Sequence, residues 1–123
     1  AVRGWQVDAV AGDADAQFDL AQAYKLGRGV QTDLDKAELL YARAASQGHR
    51  RASDELGLLQ FDRGKRAEAM PRVQGAADHG DPRAQYLLAI AHFNGDLAPR
   101  DWVRAYALMS LARMQGLPQA VPA

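Results

Sequence analysis

The chain has 123 residues, with fifteen basic and fifteen acidic side chains and a formal net charge of zero. This length suits one ordinary domain, and 48% hydrophobic with 24% charged residues is typical of a globular chain. A neutral balance gives no general attraction to a phosphate backbone or an anionic bilayer. The absence of cysteine excludes disulfide frameworks, zinc fingers and thiol catalysis. No stretch approaches the roughly 20 apolar residues that span a bilayer, so we expect no membrane insertion.

The main signal is an internal repeat. Gly12, Gly48, Gly80 and Gly116 stand 36, 32 and 36 residues apart, and an alanine follows each glycine four residues later. In the first three units a leucine and a small residue come next, as Leu20-Ala21, Leu56-Gly57 and Leu88-Ala89. So many agreements in one register indicate repeated structural units.

Inside each unit the apolar residues recur at helical spacing. Gly27-Arg28-Gly29-Val30 is typical of a helix end and turn, Asp33 suits a helix start, and Asp81-Pro82 is a sharper start signal. The pattern predicts six helices, near residues 14–27, 34–47, 50–63, 65–79, 82–94 and 101–115.

These residues resemble the Sel1-like repeat, a subclass of the tetratricopeptide-type helical hairpins. The first unit carries the pattern nearly intact, with Ala16, Leu20, Tyr24, Gly27, Gly29-Val30, Asp33, Lys36-Ala37, Tyr41, Ala44-Ala45 and Gly48. The resemblance implies an all-α fold, a right-handed α-solenoid of antiparallel helix pairs. We expect a single array over 1–123, with repeats near 12–47, 48–79 and 80–115. Residues 1–11 would then be the second helix of a preceding repeat, and 116–123 the start of a truncated next one.

The second and third units depart from this pattern. The second is four residues short, and its turn shrinks to Asp62-Arg63-Gly64-Lys65. The third places His92 at the tyrosine position and Leu97 where the first unit has Gly29. A leucine adopts the left-handed backbone only at a cost, so we expect that loop to follow another path.

The resemblance also implies a function, namely a non-catalytic scaffold or adaptor that binds a protein or peptide. Stacked hairpins leave a concave face lined by the first helices. The predicted groove positions are Phe18, Gln22, Lys25, Asp54, Leu58, Phe61, Tyr86, Ile90 and Phe93. Aromatic groups on a rigid wall suit an extended peptide or a partner's helix.

Three alternatives to this prediction stay open. The same side chains could pack between adjacent first helices. The array could be a passive spacer that positions neighbouring domains, such as a peptidoglycan-binding SPOR domain. It could also self-associate through its ends or its groove. The segment from Arg100 to Met109 resembles SPOR-containing proteins of the bacterial envelope, which favours the envelope over the cytoplasm.

The sequence contains no strong pattern of catalytic, metal-binding or nucleic-acid-binding residues. His49, His79 and His92 lack metal-ligand spacing, and no serine stands in a nucleophile elbow. The basic run Arg63-Gly64-Lys65-Arg66 is more typical of a solvated face than of a nucleic-acid site. We therefore expect no catalytic residue, no metal or cofactor, and no nucleic-acid partner.

Overall fold

The computed structural model describes residues 11–120, and over this range the chain forms six α-helices and one short 3-10 helix, with no β-strand. The helices are α1 (Ala14–Leu26), α2 (Leu34–Ser46), α3 (Arg50–Asp62), α4 (Arg66–Asp78), α5 (Pro82–Asn94) and α6 (Trp102–Met114), followed by the 3-10 helix Pro118–Ala120. Each helix lies within one residue of its predicted bounds. Of the flanking half-repeats predicted at 1–11 and 116–123, residues 1–10 and 121–123 lie outside the described residues.

Aspartates begin four of these helices. The side chains of Asp13, Asp33, Asp81 and Asp101 each accept a hydrogen bond from a backbone N–H two or three residues on, over 2.9–3.1 Å. Such caps satisfy donors that the first helical turn leaves without a partner. This local chemistry explains why these four helix starts could be predicted from the sequence.

Asp81 differs from the other three capping aspartates because it also pairs with a neighbouring side chain. Its Oδ2 lies 2.8 Å from Nη2 of Arg83. Burial opposes ionisation of this carboxyl, but hydrogen bonds from the Arg83 side chain, the Arg83 charge and the backbone N–H groups of Arg83 and Ala84 outweigh burial and lower its pKa. Asp81 is therefore held ionised at the start of α5.

A glycine follows each second helix. Gly48, just beyond α2, has φ of 86°, and a Cβ added to it would meet no atom within 4 Å. Backbone conformation, and not lack of space, therefore requires glycine at this turn.

The chain divides into two compact units, the first ending at Leu59 and the second beginning at Gln60, so that α3 contributes to both. In the first unit, residues of α1, α2 and α3 form one core, which comprises Phe18, Leu20, Ala21, Ala37, Leu40, Tyr41, Ala44, Ala52, Leu56 and Leu59. In the second unit the buried apolar residues are mostly alanines, with Val73, Leu88 and Leu108. The boundaries predicted for the individual repeats stay predictions.

Each unit contains the same glutamine pair. The Gln47 side chain donates from Nε2 to Oε1 of Gln17 over 2.8 Å, and Gln115 donates in the same way to Gln85 over 2.7 Å. Gln17 and Gln85 are buried, near the starts of α1 and α5. The pair ties the first helix of the hairpin to the residue that ends the second.

The loop between α5 and α6 corrects one sequence prediction. Leu97 does adopt the left-handed backbone, with φ of 66°, where Gly29 has 76°. The expectation of another path is therefore wrong. The Asp101 N–H donates to the His92 carbonyl over 2.9 Å. In the α1–α2 loop the Asp33 N–H donates to the Tyr24 carbonyl in the same way, over 3.0 Å. These bonds fix the loop, although the left-handed conformation costs a residue with a side chain about 1–2 kcal/mol.

Candidate functional site

In the first unit, Phe18 belongs to the core and does not line an open groove. Its side chain is only 4% exposed. Its ring stacks on His49 with centroids 4.7 Å apart, and the Arg51 guanidinium carbon lies 4.9 Å from the ring centroid. The Tyr41 ring is 5.8 Å away. These neighbours come from α2, α3 and the turn between them, so Phe18 joins the three helices of the first unit.

The polar groove positions of the first unit also bridge helices. The Tyr41 hydroxyl donates to Oε1 of Gln22. Nζ of Lys25 lies 3.1 Å from a carboxylate oxygen of Glu55. Both α1 side chains are partly buried, so they contribute contacts between helices as well as surface.

Two further predicted positions lie on α3 upstream of the unit boundary. Leu58 is 6% exposed, which makes it a core residue instead of a groove residue. Asp54 is partly exposed. Phe18 and Leu58 are therefore core residues and do not belong to the candidate surface.

In the second unit, Phe61 and Ile90 line one depression of about 240 Å³, which we call the Phe61 groove. Leu87 and Leu97 contribute further apolar walls, and the Arg66 guanidinium carbon lies 5.4 Å from the Phe61 ring centroid. The remaining lining residues are Ala91, Asn94 and Asp96. The groove therefore has an apolar interior and carries one cation and one anion on its lining.

A second depression of about 340 Å³, the Phe93 groove, lies between α5 and α6. Phe93 is 50% and Tyr106 65% exposed, and their rings meet edge to face with centroids 6.4 Å apart. The other lining residues are Ala89, Ile90, Asn94, Ala105 and Met109. Because Ile90 and Asn94 line both grooves, the two form one continuous candidate surface.

Tyr86 is partly exposed but is not a lining residue of either groove. The sequence prediction also missed Leu97, Tyr106 and Met109, because it considered first helices only. The apolar residues of the α6 segment could have indicated that this helix contributes to the surface. Trp102 and Val103 of the same helix are also exposed.

The described residues contain no group of three or more His, Cys, Asp or Glu side chains arranged to hold a metal ion. Both ring nitrogens of His92 are used within the fold: Nδ1 lies 2.8 Å from the Pro99 carbonyl oxygen, and Nε2 accepts from the Arg104 Nε–H. His49 is engaged similarly, since its Nδ1 accepts the Ala52 N–H over 3.1 Å. Both histidines therefore serve loop and helix geometry.

Among residues 11–120, none of the helices has the length and apolar content needed to cross a membrane.

The Sel1 repeat family model matches residues 14–49 and 82–117, which together make up more than half of the chain. These segments contain α1 with α2 and α5 with α6, the two hairpins that share the glutamine pair. The chain belongs to the Sel1 repeat family. A comparison with curated proteins gave no match.

Two solved structures share this fold. The crystal structure of a protective antigen with an SLR fold, present in uropathogenic Escherichia coli strains, is 30% identical over 94% of this chain, with a TM-score of 0.75. A Sel1 repeat protein from Oxalobacter formigenes is 27% identical over 97% of this chain, with a TM-score of 0.73. This chain spans 26% and 49% of their respective lengths.

These similarities confirm the fold class, a helical-repeat solenoid of paired helices. Sel1 repeat proteins are typically non-catalytic scaffolds that generally mediate protein–protein interactions.

Proposed function

We propose that this protein is a non-catalytic scaffold whose second unit binds a segment of a partner protein along the Phe61 and Phe93 grooves. The observation that carries the proposal is the exposed Phe93–Tyr106 pair beside Ile90, a residue common to both grooves. Protein binding is typical of the family to which the chain belongs.

The chemistry of this surface supports a protein partner. Aromatic side chains bury a large area on binding while losing little conformational freedom, and they are enriched among residues that dominate binding energy. Asn94 stands where the two grooves join, so amide hydrogen bonding is available beside apolar contact. An apolar cleft with a few polar groups is the usual form of a recognition site.

The test begins with a 12-residue peptide library displayed on phage and selected against the intact chain. Binding of the recovered peptides is then measured by fluorescence anisotropy for the wild type, Phe93→Ala and Tyr106→Ala. We expect each variant to raise Kd about tenfold or more, since residues of this kind contribute upwards of about 1.4 kcal/mol when central to an interface.

Val103→Ala is the matched control, because Val103 is 82% exposed on α6 and lines neither groove. Its Kd should equal that of the wild type. Peptides whose Kd is the same for Phe93→Ala, Tyr106→Ala and wild type would show that the grooves do not bind protein segments.

A second candidate function is self-association, with the chain acting as a passive spacer. The observation favouring it is the apolar content of the α6 surface, where Trp102 is 57% and Met114 79% exposed. Light scattering over a wide concentration range separates the two functions. A mass that rises with concentration, and returns to the monomer value in a Trp102→Ala variant, would favour self-association.

A further inference from the structure

We infer that Leu97 is a contact residue of the proposed surface, placed in the Phe61 groove to receive a large apolar side chain of the partner segment. This inference rests on the proposed function and names the chemistry of its ligand. It is carried by a backbone conformation that the leucine itself does not favour.

The α1–α2 loop and the α5–α6 loop follow the same backbone path with different residues. Gly27 and Gly29 have φ of 70° and 76°, and Gly95 and Leu97 have 69° and 66°. Glycine adopts this conformation without steric cost, whereas a Cβ is forced against the following carbonyl. The α5–α6 loop therefore carries a leucine where glycine would give the same backbone path at lower energy.

Packing within the protein buries the Leu97 side chain only in part. The residue remains 38% exposed, unlike the core leucines of the first unit, and lies at the groove beside Phe61, Leu87 and Ile90. A side chain held in a strained backbone conformation and left partly open to solvent gains further burial when a ligand covers it. The residues that would cover it are those of a bound partner.

The charged residues of the Phe61 groove indicate which residues of the partner segment lie beside its large apolar side chain. Arg66 lies over the Phe61 ring and belongs to the same lining as Leu97. Its guanidinium is complementary to a carboxylate. Asp96 also lines this groove and suits a hydrogen-bond donor. The occupant is therefore a partner segment with a large apolar side chain, an acidic residue placed against Arg66 and a donor placed against Asp96.

The experiment combines stability with binding of the library-derived peptide that gives the strongest response. Leu97→Gly removes both the strain and the side chain, whereas Leu97→Ala removes the side chain and keeps the strained Cβ. We expect Leu97→Gly to melt a few degrees above the wild type and above Leu97→Ala. Both variants should raise the Kd of the peptide about tenfold, and Arg66→Ala should raise it several-fold.

Gly29→Leu is the matched control in the first loop. It should lower Tm by a similar few degrees without changing peptide affinity, because Gly29 is outside both grooves. That pair of results would separate the backbone cost from the binding role.

Three outcomes would overturn the inference. A Leu97→Gly chain that melts below the wild type would show that leucine is retained for internal packing. Peptides that respond to Phe93→Ala but bind Leu97→Gly like the wild type would leave the proposed function standing and remove Leu97 from it. Failure to recover any peptide that responds to Phe93→Ala would remove the proposed function and this inference together.

Discussion

The Nε–H of Arg104 donates a hydrogen bond to Nε2 of His92 over 3.2 Å, while Nδ1 of the same ring lies 2.8 Å from the Pro99 carbonyl oxygen. A guanidinium can only donate and a carbonyl can only accept. This geometry therefore places the donor N–H on Nδ1 and leaves Nε2 as the acceptor. One histidine thus connects the end of α5, the following loop and the first turn of α6.

This arrangement predicts the tautomer of His92. In a ¹⁵N-labelled sample near neutral pH, Nδ1 should show the chemical shift of a protonated nitrogen and Nε2 that of an unprotonated one. In Arg104→Ala the Nε2 acceptor loses its donor, and we expect the fixed tautomer to give way to a mixture. Protonation of Nε2 in the wild-type chain would contradict the geometry.

The repeated glutamine pair predicts a measurable coupling. Gln85→Ala should lower the free energy of unfolding by about 1–2 kcal/mol, because it removes a buried amide that Gln115 contacts. A double-mutant cycle with Gln115→Ala should give a coupling of about 1 kcal/mol. The same cycle on Gln17 and Gln47 should give a similar value, since their bond differs by only 0.1 Å. Additive losses in urea unfolding would show that the pair contributes no mutual stabilisation.

Asp81 predicts a pH dependence of stability with a definite sign. Because the folded pKa lies below the ordinary value of 3.8, ionised Asp81 stabilises the folded chain at pH values above 3.8. This contribution is lost as pH falls through the folded pKa. The stability advantage of the wild type over Asp81→Asn should therefore be present at neutral pH and vanish in acid. Unfolding curves at a series of pH values measure it, and an advantage that grows on acidification would contradict the assignment.

Phe18 and Phe93 predict opposite results for the same substitution. Phe18→Ala should lower the free energy of unfolding by about 3–5 kcal/mol, because it leaves a cavity beneath His49 and Arg51. Phe93→Ala should cost much less, since Phe93 is half exposed. Circular dichroism during urea unfolding compares the two variants. Equal losses would show that Phe93 is also a core residue.

The six helices were predictable because the helical spacing of their apolar residues and, at four of their starts, an aspartate cap are local features of the chain. An aspartate placed to accept a backbone N–H, as at Asp33, acts within one turn of chain. Burial is not local in this sense. Phe18 was predicted on an open wall because helical spacing alone does not show that His49 and Arg51 will enclose its ring.

Leu97 shows where a correct local rule gives a wrong outcome. The rule assigns leucine a cost in the left-handed region, and that cost is real. The loop is nevertheless closed by a hydrogen bond between residues nine positions apart, from the Asp101 N–H to the His92 carbonyl. Tyr106 was missed for a related reason, since its pairing with Phe93 requires two helices to meet.

The open space around Gly48 has a consequence for chemical synthesis. A residue of ordinary handedness is strained at its φ of 86°, but the surroundings would accommodate a methyl group because nothing lies within 4 Å of it. A mirror-image alanine prefers positive φ and would restrict the unfolded chain. The turn after α2 therefore disfavours an L-residue through its backbone conformation and not through the volume of its side chain. We expect a D-alanine introduced there by peptide ligation to avoid this conformational cost.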